Sequence, residues 1–390
     1  MFFQGPLASI FGTEFFNYFD EILEGAAFIM LLFISFFKSK IKLNFLLVNG
    51  LLVYIIIISL MLGFQEDKVK IIVQCMIHLK LFVFLVFFSL FDVNQLQKFS
   101  KYVLYIALFG LFLELILRGY FYDFLDLPNH LRPENRKAKL VYGGFIHSNN
   151  ISLLVMFWYF VWLVGEIKKK QTMKIVLITI LVFTGLFVFG SRTSILSILA
   201  VLFYLYRNEM VIKPKFLIAG VVGFALLLVS TYLFTDIIER SVTNIQDSFS
   251  KDSRYIRGLM IYLSVILSIR FFPIGTGAAS YGTATSESSP VYSLLGVSER
   301  LPFKNMQGVY DSSLASILGE FGVIGIVLFY YVLFMFLRFK GKSKLSNNMS
   351  KGLFFAILIS SLTMPVFMNS TTALIIAGGV IILRKKLIDI

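Results

Sequence analysis

The chain has 390 residues, of which 58% are hydrophobic and only 15% are charged. This is far more apolar than the roughly 45–50% of an ordinary soluble domain, so the composition indicates an integral membrane protein. The net charge of +14 does not indicate nucleic-acid binding, because most Lys and Arg residues fall in short clusters between apolar runs, as membrane topology requires. A single cysteine, Cys75, excludes an intramolecular disulfide.

Apolar runs recur along the whole chain. A spanning helix needs roughly 20 apolar residues to cross about 30 Å of hydrocarbon. Eleven such runs predict an all-α integral membrane protein of about eleven transmembrane helices, with residues 1–390 forming one polytopic domain. The runs are Glu21–Phe37, Leu43–Phe64, Ile71–Phe91, Tyr102–Leu117, Phe145–Val164, Ile175–Phe189, Thr193–Tyr206, Phe216–Phe234, Leu314–Leu337, Leu353–Phe367 and Ala373–Leu383.

Basic loops alternate along the chain and predict its orientation. They are the loops 38–42, 98–101, 168–174, 207–215, 338–351 and 384–386. Because cytoplasmic loops carry an excess of Lys and Arg, we place these loops and the C-terminus in the cytoplasm. The N-terminus and the two long loops, 118–144 and 235–307, then face outside.

The loop 235–307 is the longest run that is too polar to lie within the hydrocarbon of a bilayer. Within it, Asp252 or Ser253 can cap a helix that runs to Arg270, and Pro273 ends that helix. Its apolar part, 259–269, is too short to span the membrane, so we expect the helix to lie in the membrane interface. In a membrane enzyme that acts on a lipid-linked substrate, we expect the active site to lie in such a loop.

Arginines on the outer side are candidates for binding phosphate. In Gly190-Ser191-Arg192, almost no loop separates two apolar runs, so the Arg192 guanidinium is held at the outer face, where its planar fork can clamp a pyrophosphate. The alternative is a snorkelling topology residue. Arg254 and Arg257, three apart on the predicted interfacial helix, share a face. They either bind an anion or belong to a solvated helix start.

Three further outer positions are weaker candidates. Arg132 and Arg136, in the loop 118–144, either attract lipid phosphates or are merely solvated. His147, at the mouth of the fifth predicted span, binds sugar or shapes a loop. Gly275-Thr276-Gly277 either cradles a phosphate or forms a tight turn, and a bare Gly-x-Gly is a weak motif that favours the turn.

Carboxylates near and inside the spans are candidates for a catalytic base. Asp311, just before the ninth predicted span, can take a proton from a sugar hydroxyl as general base, or it can cap the helix. Glu320 is a deeper alternative. Lys80, within the third predicted span beside His78, is an intramembrane charge that Glu24 or Glu114 can pair with. No cofactor is indicated, and the lack of a His/Cys cluster or acidic box predicts a metal-independent activity.

The order of these features resembles the O-antigen polymerase and O-antigen ligase superfamily. The resemblance is carried by Gly-Ser-Arg-Thr-Ser at 190–194, Ser-Arg at 253–254, Pro-x-Gly-x-Gly at 273–277 and Glu-Phe-Gly-Val-Ile-Gly at 320–325. It covers roughly residues 140–340. Ligases place a His-Asn pair before the Glu-x-Gly span, whereas this chain has Asp311-Ser312 there, which is more similar to the polymerases.

The resemblance implies a membrane glycosyltransferase of the bacterial inner membrane with its active site facing the periplasm. A polymerase of O-antigen or capsule would move the growing glycan from undecaprenyl diphosphate onto a new lipid-linked repeat unit. Arg192 with Arg254 or Arg257 would stabilise the departing diphosphate, and Asp311 would be the base. A chain-length regulator and a flippase are possible partners.

Two alternatives remain open. One is an O-antigen ligase that transfers glycan to lipid A core, which the missing His-Asn pair disfavours. The other is a flippase or transporter of polysaccharide precursors, for which we would expect an internal duplication that is not evident.

Overall fold

The computed structural model of the chain describes residues 19–37, 39–62, 64–117, 148–188, 191–207, 253, 255–287, 289–339 and 343–388. Helical residues make up 80% of these ranges, which contain no strand. That share is far above the roughly 30–35% of ordinary soluble proteins, so the predicted all-α class is confirmed for the described ranges.

The helices follow the apolar runs of the sequence. In chain order they are α1 (Phe19–Phe37), α2 (Ser39–Leu62), α3 (Lys68–Phe88), α4 (Val93–Leu117), α5 (Ser148–Lys168), α6 (Thr172–Val188), α7 (Arg192–Tyr206), α8 (Ile256–Arg270), α9 (Pro290–Leu294), α10 (Leu301–Lys304), α11 (Ser313–Leu337), α12 (Lys344–Thr363) and α13 (Ser370–Ile388). A short 3-10 helix, Ala284–Ser286, precedes α9.

Three of these helices are long and apolar enough to cross a membrane: α3, α5 over Asn149–Lys168, and α11. Parts of α1, α2, α6 and α7 form shorter apolar helices. The chain is therefore a helical membrane protein. Ten of the eleven apolar runs coincide with helices, while the run Phe216–Phe234 lies outside the described residues. The number of spans stays a prediction.

Two helices begin nine residues before the apolar runs that predict them. α4 begins at Val93 rather than Tyr102, and α12 begins at Lys344 rather than Leu353. Both helices begin with polar turns. A search for apolar runs misses these turns, although polar residues can be helical. At α12, the Ser343 side chain accepts the amide of Ser346 as an N-cap. The same helix ends at Thr363, two residues before Pro365.

Two cores hold the structure together. In the larger core, α13 packs against α3, α4 and α5, α12 packs against α7, and α2 lies beside α3 and α11. A smaller core forms between α8 and the segment 281–309 and includes the buried aromatic residues Tyr281, Tyr292 and Phe303. The second half of the predicted outer loop is thus a folded structure.

At each end of the helices, segments that are distant in sequence contact each other. At what we call the basic end, Lys168 Nζ donates to the Lys386 carbonyl at 3.4 Å, and Lys385 Nζ lies 3.5 Å from Asp92 Oδ1. At what we call the loop end, where residues 271–312 pack, Gln65 Nε2 donates to the Ala279 carbonyl at 3.1 Å.

Reporter fusions test which end faces the cytoplasm. We expect a phosphatase joined after Lys386 to be inactive and one joined after a truncation near Ser286 to be active, because the basic end should remain in the cytoplasm. The reverse pattern of phosphatase activity would contradict the predicted orientation.

Candidate functional site

The polar loop after α8 closes onto a kink in α11. Gly322 interrupts the helix with φ +62° and ψ −160°. The Ile324 amide donates to the Pro273 carbonyl at 3.3 Å, and the amides of Thr276 and Gly277 donate to the carbonyls of Gly319 and Glu320 at 3.0 and 2.7 Å. The loop backbone therefore supplies hydrogen bonds that the kink removes from the helix, as a buried helix break requires.

Glycine is needed on both sides of this contact. A Cβ atom on Gly275, which has φ +74°, would stand 2.5 Å from the Gly322 nitrogen, and one on Gly322 would collide with the Pro273 carbonyl oxygen. The amides of 275, 276 and 277 all donate to protein carbonyls. This favours the tight-turn interpretation of Gly275 and Gly277 over phosphate binding, because their amides are already occupied.

We expect Gly275→Ala to lower the free energy of unfolding by about 2–4 kcal/mol, since the methyl group adds both an unfavourable φ and an overlap with backbone. The melting temperature in detergent should fall by roughly 2–5 °C. Gly165→Ala is the matched control, because nothing lies within 4 Å of its added Cβ atom. Equal melting temperatures for the two variants would contradict the proposed steric role.

Glu320 lies two residues before the kink and is fully buried. Its Oε1 accepts the amides of Ser280 and Tyr281 at 3.0 and 3.1 Å and the Thr283 hydroxyl at 3.3 Å. Its Oε2 lies 2.6 Å from Nε2 of His78 on α3. One carboxylate thus joins α3, α11 and the loop.

His78 is also fully buried, and its ring packs edge-on against Phe321 and Phe329. In the part of the chain that the structure describes, its Nδ1 has no hydrogen-bond partner. A neutral ring protonated on Nε2 satisfies this geometry best, because it donates to Glu320 and leaves unpaired only an acceptor atom. Ionisable residues inside a membrane mark functional or architectural sites.

Lys80, two residues after His78, is held by a separate set of contacts. Its Nζ donates to Ser370 Oγ at 2.9 Å and lies 3.8 Å from Glu24 Oε2. The predicted pairing with Glu24 is therefore observed, and the Glu114 side chain is not among those described. Lys80 joins α1, α3 and α13, so a structural role accounts for it.

Asp311 and Arg257 form an ion pair at the loop end. Asp311 Oδ2 accepts from Arg257 Nε at 3.1 Å and from Nη2 at 2.8 Å. Both side chains remain about one-third exposed. The N-cap of α11 is Ser312, whose hydroxyl accepts the Ala315 amide at 3.2 Å. The capping interpretation of Asp311 is therefore wrong, because the next residue occupies that position.

Opposing effects set the pKa of the Arg257 guanidinium in this pair. Burial, the largest effect, would lower the pKa of the Arg257 guanidinium, but the Asp311 carboxylate and Tyr255 outweigh it, so the pKa is raised. Arg257 therefore remains a cation at any physiological pH.

The helix that carries Arg257 differs from the prediction at its start. α8 begins at Ile256 with Tyr255 as N-cap, whereas the sequence predicted a cap at Asp252 or Ser253. The helical spacing that placed Arg254 and Arg257 on one face therefore does not apply. Arg254 itself lies outside the described residues, as do three other predicted site residues, Arg132, Arg136 and His147.

Arg192 is the first residue of α7 and is exposed. The next residue, Thr193, shares a hydrogen bond with Thr363 at the end of α12 at 2.7 Å. Close to that point, the Ser312 hydroxyl donates to the Ser361 carbonyl at 3.4 Å. The start of α7, the end of α12 and the start of α11 are thus adjacent, which brings Arg192 to the same end of the bundle as Arg257 and Asp311.

Sequence reasoning missed two pairings. His78 and Glu320 are 242 positions apart, and Arg257 and Asp311 are 54 apart, so no local spacing connects them. The one usable signal was that Glu320 and His78 are ionisable residues within apolar runs, which implies a partner.

The class that this fold defines is a helical membrane protein with a folded polar loop packed on its spans. Comparisons of the sequence with models of protein families and with curated proteins found no match. Among the side chains that the structure describes, no group of three or more His, Cys, Asp or Glu residues is placed to hold a metal ion.

Proposed function

We propose that the protein is a polysaccharide polymerase, a membrane glycosyltransferase that moves a growing glycan from undecaprenyl diphosphate onto a new lipid-linked repeat unit. The observation that supports the proposal is that Arg257 pairs with Asp311 at the same end of the helices at which α7 begins with Arg192. These residues come from three separate parts of the sequence. The order of the sequence motifs adds to this support.

The chemistry requires both kinds of charge. A hydroxyl oxygen of the new repeat unit attacks the anomeric carbon of the glycan, the bond from that carbon to the diphosphate oxygen breaks, and the hydroxyl proton passes to the Asp311 carboxylate. Negative charge grows on the leaving diphosphate, so Arg192 and Arg257 stabilise the transition state.

The ion pair gives this scheme an order of events. In the structure, Arg257 is occupied by Asp311. A diphosphate that engages the Arg257 guanidinium competes with that carboxylate and releases it towards the acceptor hydroxyl. Binding of the donor thereby frees the base, and the carboxylate stays neutralised by Arg257 until the donor arrives.

A deletion strain tests the proposal. Loss of the surface-glycan ladder, with single repeat units still attached to lipid A core, is the expected result for a polymerase. Complete loss of attachment would instead indicate the ligase, and accumulation of lipid-linked units on the cytoplasmic side would indicate the flippase. Either of these two results would overturn the proposal.

We expect Arg192→Ala to lower turnover roughly 10²- to 10³-fold, the loss typical of removing one preorganised charge-stabilising donor. Arg192→Lys should restore little, because a point charge lacks the guanidinium fork. The measurement is elongation of lipid-linked repeat units by purified protein in detergent. Lys169→Ala, at the basic end, is the control, and equal rates for the alanine variants would assign Arg192 a topological role only.

A further inference from the structure

A cavity of about 290 Å³ lies between α1, α3, α4, α5 and α13. Its walls are almost wholly apolar and include Phe88, Phe99, Leu154, Trp158 and Gly378. None of the residues of the proposed glycosyltransferase site, which are at the loop end, lines this cavity. Because the lining offers almost no polar contact, the cavity suits hydrocarbon.

Lysines gather at one side of this cavity, at the basic end. The Lys386 ammonium donates to the carbonyl of Val161, which lines the cavity, at 3.4 Å. Lys168 donates to the carbonyl of Lys386, and the exposed Lys101 directly follows Ser100 in the lining. Three lysines thus lie close to one wall of the apolar cavity.

In the part of the chain that the structure describes, like charges surround Lys386. Lys386 lies beyond the predicted span Ala373–Leu383, and its pKa is lowered first by burial and then by the like charges of Lys101, Lys168 and Lys169. Of the described carboxylates at this end, Glu166 is paired with Lys169 and Lys174, and Asp92 with Lys385. Within the described ranges, no carboxylate forms an ion pair with Lys101, Lys168 or Lys386. Like charges held close together favour an anionic ligand.

Trp158 also lines the cavity, on the same helix as Val161. Trp158 is three residues, or roughly 4.5 Å of helix rise, from Val161. A lipid whose phosphate contacts Lys386 can therefore place its acyl chain beside Trp158, in the cavity.

We propose that this cavity binds one anionic glycerophospholipid, with its phosphate on Lys101, Lys168 and Lys386 and an acyl chain against Phe88, Trp158 and Gly378. Basic pockets between transmembrane helices on the cytoplasmic side are suited to anionic headgroups. This proposal does not depend on the glycosyltransferase function.

Trp158 provides a direct readout. The chain has only two tryptophans, so Trp162→Phe leaves Trp158 as the sole fluorophore next to the cavity. Purified full-length Trp162→Phe protein in detergent is titrated with dibrominated phosphatidylglycerol or dibrominated phosphatidylcholine. We expect phosphatidylglycerol to quench Trp158 at a mole fraction lower by on the order of a hundredfold, since each of the three lysines near the phosphate contributes about fivefold.

Two kinds of variant separate the headgroup from the chain. Lys168→Gln with Lys386→Gln should remove most of the preference for phosphatidylglycerol, whereas Lys344→Gln, an exposed lysine on α12, should leave it unchanged. Gly378→Leu should fill the cavity and weaken quenching by both lipids. Its Cβ atom meets only Phe88, at 3.9 Å, so the variant should fold, and Gly378→Ala is its matched control.

Each contrary result overturns the inference. Equal quenching by the two lipids would mean that bulk lipid fills the cavity. A preference that survives the double lysine variant would exclude the lysines as the headgroup site. Unchanged quenching in Gly378→Leu would exclude the cavity as the chain site. Displacement of dibrominated phosphatidylglycerol by a lower concentration of undecaprenyl phosphate would assign the site to a polyprenyl chain instead.

Discussion

Glu320→Ala is expected to lower the free energy of unfolding by at least about 3–5 kcal/mol, because each buried donor left without an acceptor costs roughly 1–3 kcal/mol. The alanine leaves His78 without its partner and removes the common acceptor of Ser280, Tyr281 and Thr283. Since these donors are buried, water does not readily replace the carboxylate. The melting temperature in detergent should fall by about 4–6 °C.

Two control variants define the origin of this effect. Glu320→Gln keeps an oxygen for the loop amides and presents an NH₂ group to His78, whose ring can accept it as the other tautomer, so the loss should be less than half as large. Glu299→Ala removes an exposed carboxylate that pairs with Lys304 on the surface and should change stability little. If Glu320→Ala and Glu299→Ala have the same melting temperature, the Glu320 carboxylate does not hold the loop on the kink.

Asp311→Asn is expected to lower the rate of glycan transfer roughly 10²- to 10⁴-fold, the range that a positioned general base contributes. Asparagine keeps the size of the side chain and an oxygen that can accept from Arg257, but it cannot take the hydroxyl proton. Asp311→Glu keeps the carboxylate and displaces it, so partial activity should remain. The rate is measured as elongation of lipid-linked repeat units at equal protein levels.

Stability measurements separate catalysis from architecture at this position. Because Asn retains an acceptor for Arg257, the melting temperature of Asp311→Asn should stay close to that of the parent protein. A full glycan ladder from Asp311→Asn would rule out the carboxylate as base, and Glu320 is too deeply tied to His78 and the loop to take its place.

The sequence alone determined the class of the protein and most of its helices. Hydropathy is a local property, so apolar runs such as Ile71–Phe91 and Leu314–Leu337 coincide with helices α3 and α11. Local turn chemistry favoured a backbone role for Gly275 and Gly277, and both have a positive φ in the structure. Helix starts were less predictable, because the polar first turns of α4 and α12 carry no hydropathy signal.

Only the tertiary structure decided which polar groups meet. The loop at 273–277 and the kink at Gly322 complete each other's hydrogen bonds, and neither segment specifies the other by spacing. His78 with Glu320, and Arg257 with Asp311, become neighbours only when the helices pack. The physical reason is that a buried polar group requires a partner but does not specify where in the chain that partner lies, and helix packing makes that choice.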